Sequence, residues 1–281
     1  MQGPNSARGG MTRQAYSLDA QKVMVFWSPK VACTSIANAI GQSVFGMDPA
    51  ALQGSGRGMR GWLSDNGVQL TSDAAVARCR DGGYVSIALL RDPYDRLVSA
   101  YLNKFAKYHA TVIDDPSKME GFARSFYQTE ILPAQRAAGL ALNPYPGLSF
   151  RAFVTAVCTR IETRGKAEPE LDHHWNTQVP FSFRRLHFAY DHVFTLDHAD
   201  AFFARLGALT GTVIENQRVN TSRRHGVYDD DLVDASSLEV GATGVVSKLQ
   251  FRNKSLSKRV RLAFAVDYNH LKLAAPAPAA T

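Results

Sequence analysis

The eight residues from Ser28 to Ser35, with the sequence SPKVACTS, combine one cation with small hydroxyl-bearing side chains. They follow a short apolar run and precede a stretch whose apolar residues recur at helical spacing. A helix N-terminus placed there offers unpaired N–H groups and a partial positive charge to an anion. We interpret the segment as a phosphate-binding loop, and the alternative is a structural strand-to-helix turn that carries an incidental lysine.

The loop contains no glycine, which separates it from the Walker A loop of ordinary ATPases and GTPases. Other phosphoanhydride ligands stay open. The helix that follows is expected to contain Ile36, Ala39 and Ile40, and either Thr34 or Ser35 is expected to cap its N-terminus.

A second polar group follows the apolar run from Tyr84 to Leu90. Arg91 stands where that strand is expected to end, Asp92 can cap the next helix, and Pro93 suits the first helical turn. Ser99 lies two helical turns into this helix, so Arg91 and Ser99 can point at one phosphate beside the sheet edge. The guanidinium group suits a phosphate because it offers a planar fork of donors. The alternative is an arginine that caps a helix and a serine on the surface.

These residues require a sheet whose strands end together. The apolar runs Lys22 to Trp27, Tyr84 to Leu90 and Phe188 to Leu196 are each followed by a helical pattern, which predicts an α/β fold with a mainly parallel sheet. Ligands bind beyond the carboxyl ends of such strands.

We expect one domain over residues 18–273, with a helical insertion over 108–185 that lies on the acceptor side. Helical patterns in the insertion lie around Gly121 to Arg136 and Ser149 to Ile161. Residues 1–17 and 274–281 are expected to be disordered, and Met11 is a candidate alternative start.

The net charge of +7 and the pI near 9.4 imply an anionic partner. No RNP motif, zinc finger or long basic tract is present, so nucleic acid is disfavoured. The apolar runs are too short to span a bilayer, which predicts no integral membrane segment and leaves peripheral contact open. Three widely spaced cysteines and the lack of a signal-peptide h-region favour reduced thiols and a cytoplasmic location.

Two motifs carry a family resemblance. The run from Pro29 to Ser35 resembles the 5′-phosphosulfate loop of the membrane-associated carbohydrate sulfotransferases, the group that includes the chondroitin and HNK-1 enzymes. Arg91 to Tyr101, together with Asn103, Lys104 and Phe105, is similar to that family's 3′-phosphate motif. Weaker similarities follow in the family's order: Phe150 to Val154, Asp172 to Gln178, Tyr190-Asp191, Thr195-Leu196, Asn220 to Ser222 and Asp267-Tyr268.

The resemblance implies a P-loop-like three-layer α/β sandwich that binds 3′-phosphoadenosine-5′-phosphosulfate (PAPS) without a metal and releases PAP. The donor-binding residues it implies are Pro29, Lys30, Val31, Ala32, Cys33, Thr34, Ser35, Arg91 and Ser99, with Lys30 at the leaving oxygen. The acceptor implied is a hydroxyl group of a carbohydrate or glycolipid, anionic glycans among them. Because the eukaryotic anchor and later cysteines are missing, a bacterial member is expected.

An acceptor hydroxyl also needs a base, and histidine suits neutral pH. His174 is the candidate because it matches the family's His-Trp pair, with His173 and Asp172 beside it as orienting or substitute groups. The alternative is a structural histidine packed by Trp175. His109 is the second candidate for the base.

Three further sequence features are interpreted as loops, turns or surface residues. Gly56 to Gly61 matches G-x-G-x-x-G without a preceding strand and is interpreted as a mobile basic loop whose Arg57 and Arg60 can close over a ligand. Asp229 to Asp231 is interpreted as a solvated turn or helix start. The remaining basic residues form either a solvated face or a lip for the 3′-phosphate or an anionic glycan: Arg223, Arg224, Lys248, Arg252, Lys254, Lys258, Arg259 and Arg261.

The sequence thus predicts a sulfotransferase. Two other function classes stay open: a kinase-like nucleotide enzyme, and a non-catalytic protein that binds anionic glycans on a degenerate fold. The acceptor, the position sulfated and the oligomeric state have no readable signal in the sequence.

Overall fold

The computed structural model describes residues 13–52, 57–163, 171–180, 183, 188–216, 231–244 and 246–274. Among these residues the central sheet has five strands in the order β3-β1-β2-β4-β7. The strands are β1 (Arg13–Leu18), β2 (Val23–Phe26), β3 (Gln69–Thr71), β4 (Val85–Leu90) and β7 (His192–Thr195), and a separate hairpin joins β5 (Lys107–Tyr108) to β6 (Thr111–Val112). Strands β2, β4 and β7 run parallel, whereas β1 is antiparallel to both of its neighbours.

The described residues also form eleven α-helices. They are α1 (Cys33–Ser43), α2 (Gly58–Asp65), α3 (Ser72–Gly82), α4 (Pro93–Tyr101), α5 (Gly121–Phe126), α6 (Leu132–Ala137), α7 (Phe150–Glu162), α8 (Ala199–Thr210), α9 (Ser237–Ala242), α10 (Lys254–Ala263) and α11 (Ala265–Leu271). Wide π-turns over Leu102–Ala106 and Tyr127–Ile131 extend α4 and α5. In the part of the chain that the structure describes, no helix has both the length and the apolar composition to cross a bilayer.

The three predicted strand-helix units are confirmed as β2-α1, β4-α4 and β7-α8. All residues of β2 and nearly all of β4 are buried, as expected for strands covered on both faces. The parallel register pairs Phe26 with Ala88 and Leu90 with Thr195. The carboxyl ends of these strands therefore meet at one edge, and the predicted α/β fold with a mainly parallel sheet is correct.

The N-terminal part of the sheet differs from the prediction. Residues 13–17, predicted as disordered, form most of β1, while residues 1–12 and 275–281 lie outside the described residues. The side chains of Ala15 and Tyr16 are fully buried, and Tyr16 stacks on Trp27 with ring centroids 5.7 Å apart. The boundary was wrong because the polar, glycine-rich composition ends before Arg13, and the apolar side chains that follow pack into the core.

The third strand is shorter than predicted, because it begins at His192 rather than Phe188. Phe188 and Tyr190 precede it and pack against the ring of Phe26. Asp191 ties this approach to β4, since its carboxylate accepts hydrogen bonds from the backbone N–H and the hydroxyl group of Ser86, at 2.7 and 2.6 Å.

The described part of the predicted insertion builds a second core beside α4. Its helical patterns are confirmed as α5, α6 and α7. Aromatic rings from the π-turn after α4, from α5 and from α7 surround Trp175, whose ring centroid lies 5.6 Å from Phe105 and 5.0 Å from Phe126. This aromatic core fixes the segment around Trp175 against the edge where the strands end.

Candidate active site

Residues 28–35, called the anion loop here, connect β2 to α1 through a strained backbone. Lys30 and Ala32 have φ angles of 67° and 48°, left-handed values that cost about 1–2 kcal/mol in a residue with a side chain. Helix α1 begins at Cys33, and its N-cap residue is Ala32. Within the described residues, no side chain makes a capping hydrogen bond there. The predicted cap at Thr34 or Ser35 is wrong, because the left-handed turn places both residues inside the first helical turn.

The uncapped first turn leaves α1 suited to an anion, because the N–H groups of a first turn have no intrahelical partner. Within the anion loop, Val31 and Ser35 are buried, whereas Ala32, Cys33 and Thr34 are half-buried. The half-buried side chain of Lys30 supplies the cation.

Two arginines hold the carbonyl groups of the anion loop from the β4 side. Arg91 Nη1 donates to the Lys30 carbonyl oxygen at 2.9 Å, and Arg96 Nε donates to the Pro29 carbonyl oxygen at 3.1 Å. The structure therefore brings Arg91 into contact with the backbone of Lys30. Through this hydrogen bond, Arg91 also fixes the backbone of the anion loop.

Arg96 joins the anion loop to residues 172–179, called the anchor segment here. Its guanidinium group is fully buried and donates from Nη1 to the Asn176 carbonyl oxygen at 2.6 Å and from Nη2 to the His173 carbonyl oxygen at 2.5 Å. Burial lowers the pKa of Arg96 to about 10, so the group stays cationic at neutral pH. No role for Arg96 could be inferred from the sequence.

Two further buried polar residues complete this support. Asp267 on α11 is fully buried and accepts from the backbone N–H groups of Gln178 and Val179 at 2.9 to 3.0 Å. The Gln178 side chain pairs with the Arg91 backbone in both directions, at 3.0 and 2.7 Å. Arg91 is thus positioned by a residue of the anchor segment.

His174 is oriented by its neighbour Asp172. The Asp172 carboxylate lies 2.6 Å from His174 Nδ1 and accepts from the His174 backbone N–H at 2.9 Å. Because a carboxylate is an acceptor, Nδ1 carries the proton, and Nε2 is left as the basic nitrogen. The imidazole also stacks on Phe122, with ring centroids 4.6 Å apart and planes 5° apart.

The charges around His174 link it to the anion loop. Burial lowers the pKa of His174, and the positive charges of Lys104 and Lys30 lower it further, against the opposing effect of Asp172. The imidazole is therefore neutral at pH 7 and can accept a proton. Lys30 and His174 are therefore electrostatic neighbours.

Lys30 lies among several charged groups. Its pKa is lowered to about 8, chiefly by burial and then by the positive charge of Lys104; Arg91 lowers it as well, while Cys33 and Glu120 oppose the shift. Lys104 forms an ion pair with Glu120, and the side chain of Lys104 is only 9% exposed. The sequence grouped Lys104 with the 3′-phosphate motif, whereas its charge acts on Lys30 and His174.

The other predicted site residues lie further out. Ser99 is half-buried on α4, the helix that starts two residues after Arg91. His109 is exposed at the tip of the β5-β6 hairpin, where its ring packs against Tyr108. His173 lies beside His174, and burial lowers its pKa to about 4.

Within the described residues, one group has ligand atoms close enough to hold a metal ion. The ligand atoms of Asp172, His173 and His174 lie within 4.8 Å of one another. Two of these possible ligands, Asp172 and His174 Nδ1, are already in contact with each other. This contact fits a base and its orienting carboxylate.

The remaining signals mostly have structural partners. Residues 58–65 form α2 rather than a mobile loop, with Gly56 outside the described residues. Arg57 pairs with Asp65, while Arg60 lies over the Trp27 ring at 4.8 Å. The loop prediction was wrong because Met59 and Leu63 bury one side of a helix there.

Part of the basic lip predicted near the C-terminus is engaged within the protein. Arg252 pairs with Asp95 and Arg259 with Glu162, and Arg261 lies over a tyrosine ring. Asp231 accepts from a nearby backbone N–H in a loop, consistent with a turn. Lys254 and Lys258 are exposed. Seven further residues of these signals lie outside the described residues: Asn220, Thr221, Ser222, Arg223, Arg224, Asp229 and Asp230.

The chain matches the family model described as sulfotransferase family over residues 16–270. This match covers nearly the whole of the described structure, including both motif regions and the anchor segment. No curated protein and no solved structure matches the chain at a significant level.

Proposed function

The chain belongs to the sulfotransferase family, and from this premise we propose that it transfers a sulfuryl group from PAPS to a hydroxyl group of a carbohydrate or glycolipid. The observation that carries the proposal is the uncapped, strained anion loop that presents Lys30 next to Arg91 at the carboxyl edge of the parallel strands. When bound, PAPS supplies the sulfuryl group and a phosphate leaving group.

The donor set fits a ligand with two phosphate groups. The N–H groups at the start of α1, with Thr34 and Ser35, would hold the 5′-phosphate. Arg91 and Ser99 would hold the 3′-phosphate, which distinguishes PAPS from ATP. The small side chains at Ala32 and Cys33 let the anion approach the backbone closely.

Sulfuryl transfer is an in-line displacement, so the protein must hold the acceptor in line and neutralise charge on the leaving oxygen. His174 Nε2 takes the proton of the acceptor hydroxyl as its oxygen bonds to sulfur. Asp172 holds the imidazole and stabilises its charged form. Protonated Lys30 offsets the negative charge that remains on the leaving phosphate when the sulfur–oxygen bond breaks. None of these residue roles calls for a metal ion.

Binding of PAP and of adenosine 5′-phosphate tests the donor assignment. We expect PAP to bind at least about tenfold more tightly, because one extra charged contact contributes about 1.5–3 kcal/mol. The Ser99→Ala variant should reduce this preference, and so should Arg91→Ala, although the latter also frees the Lys30 carbonyl group. Equal affinities for the two nucleotides would contradict the proposal, and tight magnesium-dependent ATP binding would favour a kinase.

Transfer of labelled sulfate to a panel of glycans and glycolipids tests the reaction itself. Labelled product is expected with at least one hydroxyl-bearing glycan. If PAP binds but no member of a broad panel is sulfated, a glycan-binding protein on a degenerate fold becomes the better interpretation. A reducing compartment such as the cytoplasm fits three free thiols on the separate helices α1, α3 and α7.

A further inference from the structure

Lys104 occupies the π-turn that extends α4, directly after the helix that carries Ser99. A π-turn widens the helix and redirects the side chains that follow, and such turns occur often at functional sites. Lys104 is 7% exposed and pairs with Glu120, so this ammonium group is held away from bulk water. A buried lysine is costly and calls for a reason beyond surface solubility.

Aromatic rings connect Lys104 to His174, the proposed base. Its Nζ lies 5.4 Å from the ring centroid of Phe122 and 5.5 Å from that of Tyr108. The Phe122 ring also stacks on the His174 imidazole, with ring centroids 4.6 Å apart. One aromatic ring therefore connects Lys104 to the proposed base.

The charge of Lys104 reaches both reacting groups. Among charged neighbours it has the largest effect on the pKa of Lys30, ahead of Arg91, and it lowers the pKa of His174 more than Lys30 does. Two cations so close repel each other, and Glu120 offsets this repulsion only in part. An anion bound between Lys30 and Lys104 would relieve it.

Building on the proposed function, we propose that Lys104 is a second cation of the transfer site, which binds the sulfuryl oxygens of the donor on the acceptor side while Lys30 binds the leaving oxygen. The base must lie close to the hydroxyl group that attacks sulfur, so a cation on the same aromatic ring as His174 faces the sulfur end of the donor. Glu120 holds Lys104 in this position. The 3′-phosphate is left to Arg91 and Ser99.

PAPS and PAP distinguish this role from a 3′-phosphate role, because both nucleotides carry the 3′-phosphate and only PAPS carries the sulfuryl group. In Lys104→Met we expect PAPS to bind about tenfold more weakly, as for one lost charged hydrogen bond, with PAP affinity within about twofold of wild type. Lys104→Arg, which keeps the cation, should lose less. Binding is measured by calorimetry without an acceptor.

The matched control is Lys118→Met. Lys118 is a lysine in an ion pair with Asp114, but both side chains are about half exposed. Its replacement should change neither affinity. If Lys104→Met unfolds because Glu120 is left unpaired, the double variant Lys104→Met with Glu120→Gln removes both charges, and the same comparison is made on it.

The pH dependence of PAPS binding gives a readout that a purely structural lysine would not move. In wild type, affinity should fall as the pH rises through about 8, where Lys30 loses its proton. The titratable groups that act on Lys30 are Lys104, Arg91, Glu120 and the Cys33 thiol, and removal of the Lys104 charge should move this fall to higher pH.

Equal loss of PAP and PAPS affinity in Lys104→Met would assign Lys104 to the 3′-phosphate and overturn the proposal. Unchanged affinity for both would make the Lys104–Glu120 pair structural and overturn it as well. If wild type binds neither nucleotide, the donor assignment itself fails, and the role of Lys104 fails with it.

Discussion

The anion loop and the anchor segment meet at the same edge of the sheet, yet they are built in opposite ways. The anion loop gains its function from backbone geometry, since strained residues expose N–H groups at the start of α1. The anchor segment gains its geometry from side chains, since Asp172 orients His174 and Gln178 pairs with the backbone of Arg91.

The difference lies in where the partners come from. The anion loop is held on its carbonyl groups by Arg91 and Arg96, and the anchor segment is held by Arg96 and Asp267, from elements far along the chain. Arg96 serves both regions. A loop for anions can be local because helix N–H groups suffice, whereas a base needs a partner that fixes its tautomer and direction.

The largest effect is expected from Lys30→Met, which removes the cation of the anion loop and leaves its N–H groups intact. We expect transfer of labelled sulfate to fall about 10³-fold, because one electrostatic contact to the leaving group is lost. PAP affinity should fall far less. If PAP binding were lost along with transfer, the loop would depend on its side chain, and the contrast with the anchor segment would fail.

The link between the two regions is tested by Arg96→Met. The variant leaves three carbonyl groups, one buried and two partly buried, without their donor, so the free energy of unfolding in urea should fall by about 3 kcal/mol. Arg57→Met removes an exposed pair with Asp65 and serves as the control, with a change under about 1 kcal/mol. Equal small changes in both variants would show that Arg96 does not join the regions.

The anchor segment is tested by His174→Ala and Asp172→Asn, which should each lower the transfer rate about 10²-fold through loss of the base or its orientation. In wild type, kcat/KM should fall at acidic pH, where His174 becomes protonated; because the pKa of His174 is lowered, this fall lies below pH 6.5. It should also fall above about pH 8, where Lys30 is neutral. His174→Ala should lack the acidic limb. If His109→Ala abolishes that limb instead, the base has been misassigned.

The smallest effect concerns the strain in the anion loop. Ala32→Gly relieves a left-handed φ and should raise the free energy of unfolding by about 0.5 kcal/mol, since part of the gain is lost to the freer unfolded chain. Ala37→Gly, in the middle of α1, is the control and should lower it by about 1 kcal/mol. A loss in Ala32→Gly would mean that the loop is not strained.

The sequence predicted the parts of the site whose signals are local. The strand-loop-helix pattern located the anion loop, and the Arg-Asp-Pro run located Arg91 and Asp92. Asp92 caps α4, since its side chain accepts a hydrogen bond from the Asp95 backbone N–H. The sequence did not reveal the roles of Arg96, Gln178 and Asp267, although all three lie within the motifs that carry the resemblance. Their function depends on buried pairings between segments about 80 to 90 residues apart, which no local pattern encodes.

The sequence also misplaced what depends on backbone detail. The cap of α1 was expected at a hydroxyl side chain because left-handed residues at Lys30 and Ala32 have no sequence signature. The π-turn after α4, which contains Lys104, likewise has no signature in residue spacing. Both features depend on tertiary structure.

Strand β1 has a practical consequence for any shortened form of this protein. It lies between β2 and β3, so a chain that begins after Leu18 would lose the strand that joins β3 to the rest of the sheet. The buried apolar strand β2 would then present unpaired N–H and carbonyl groups along an open edge, which is a template for self-association. Truncation at this end should therefore reduce solubility before it touches a residue of the site.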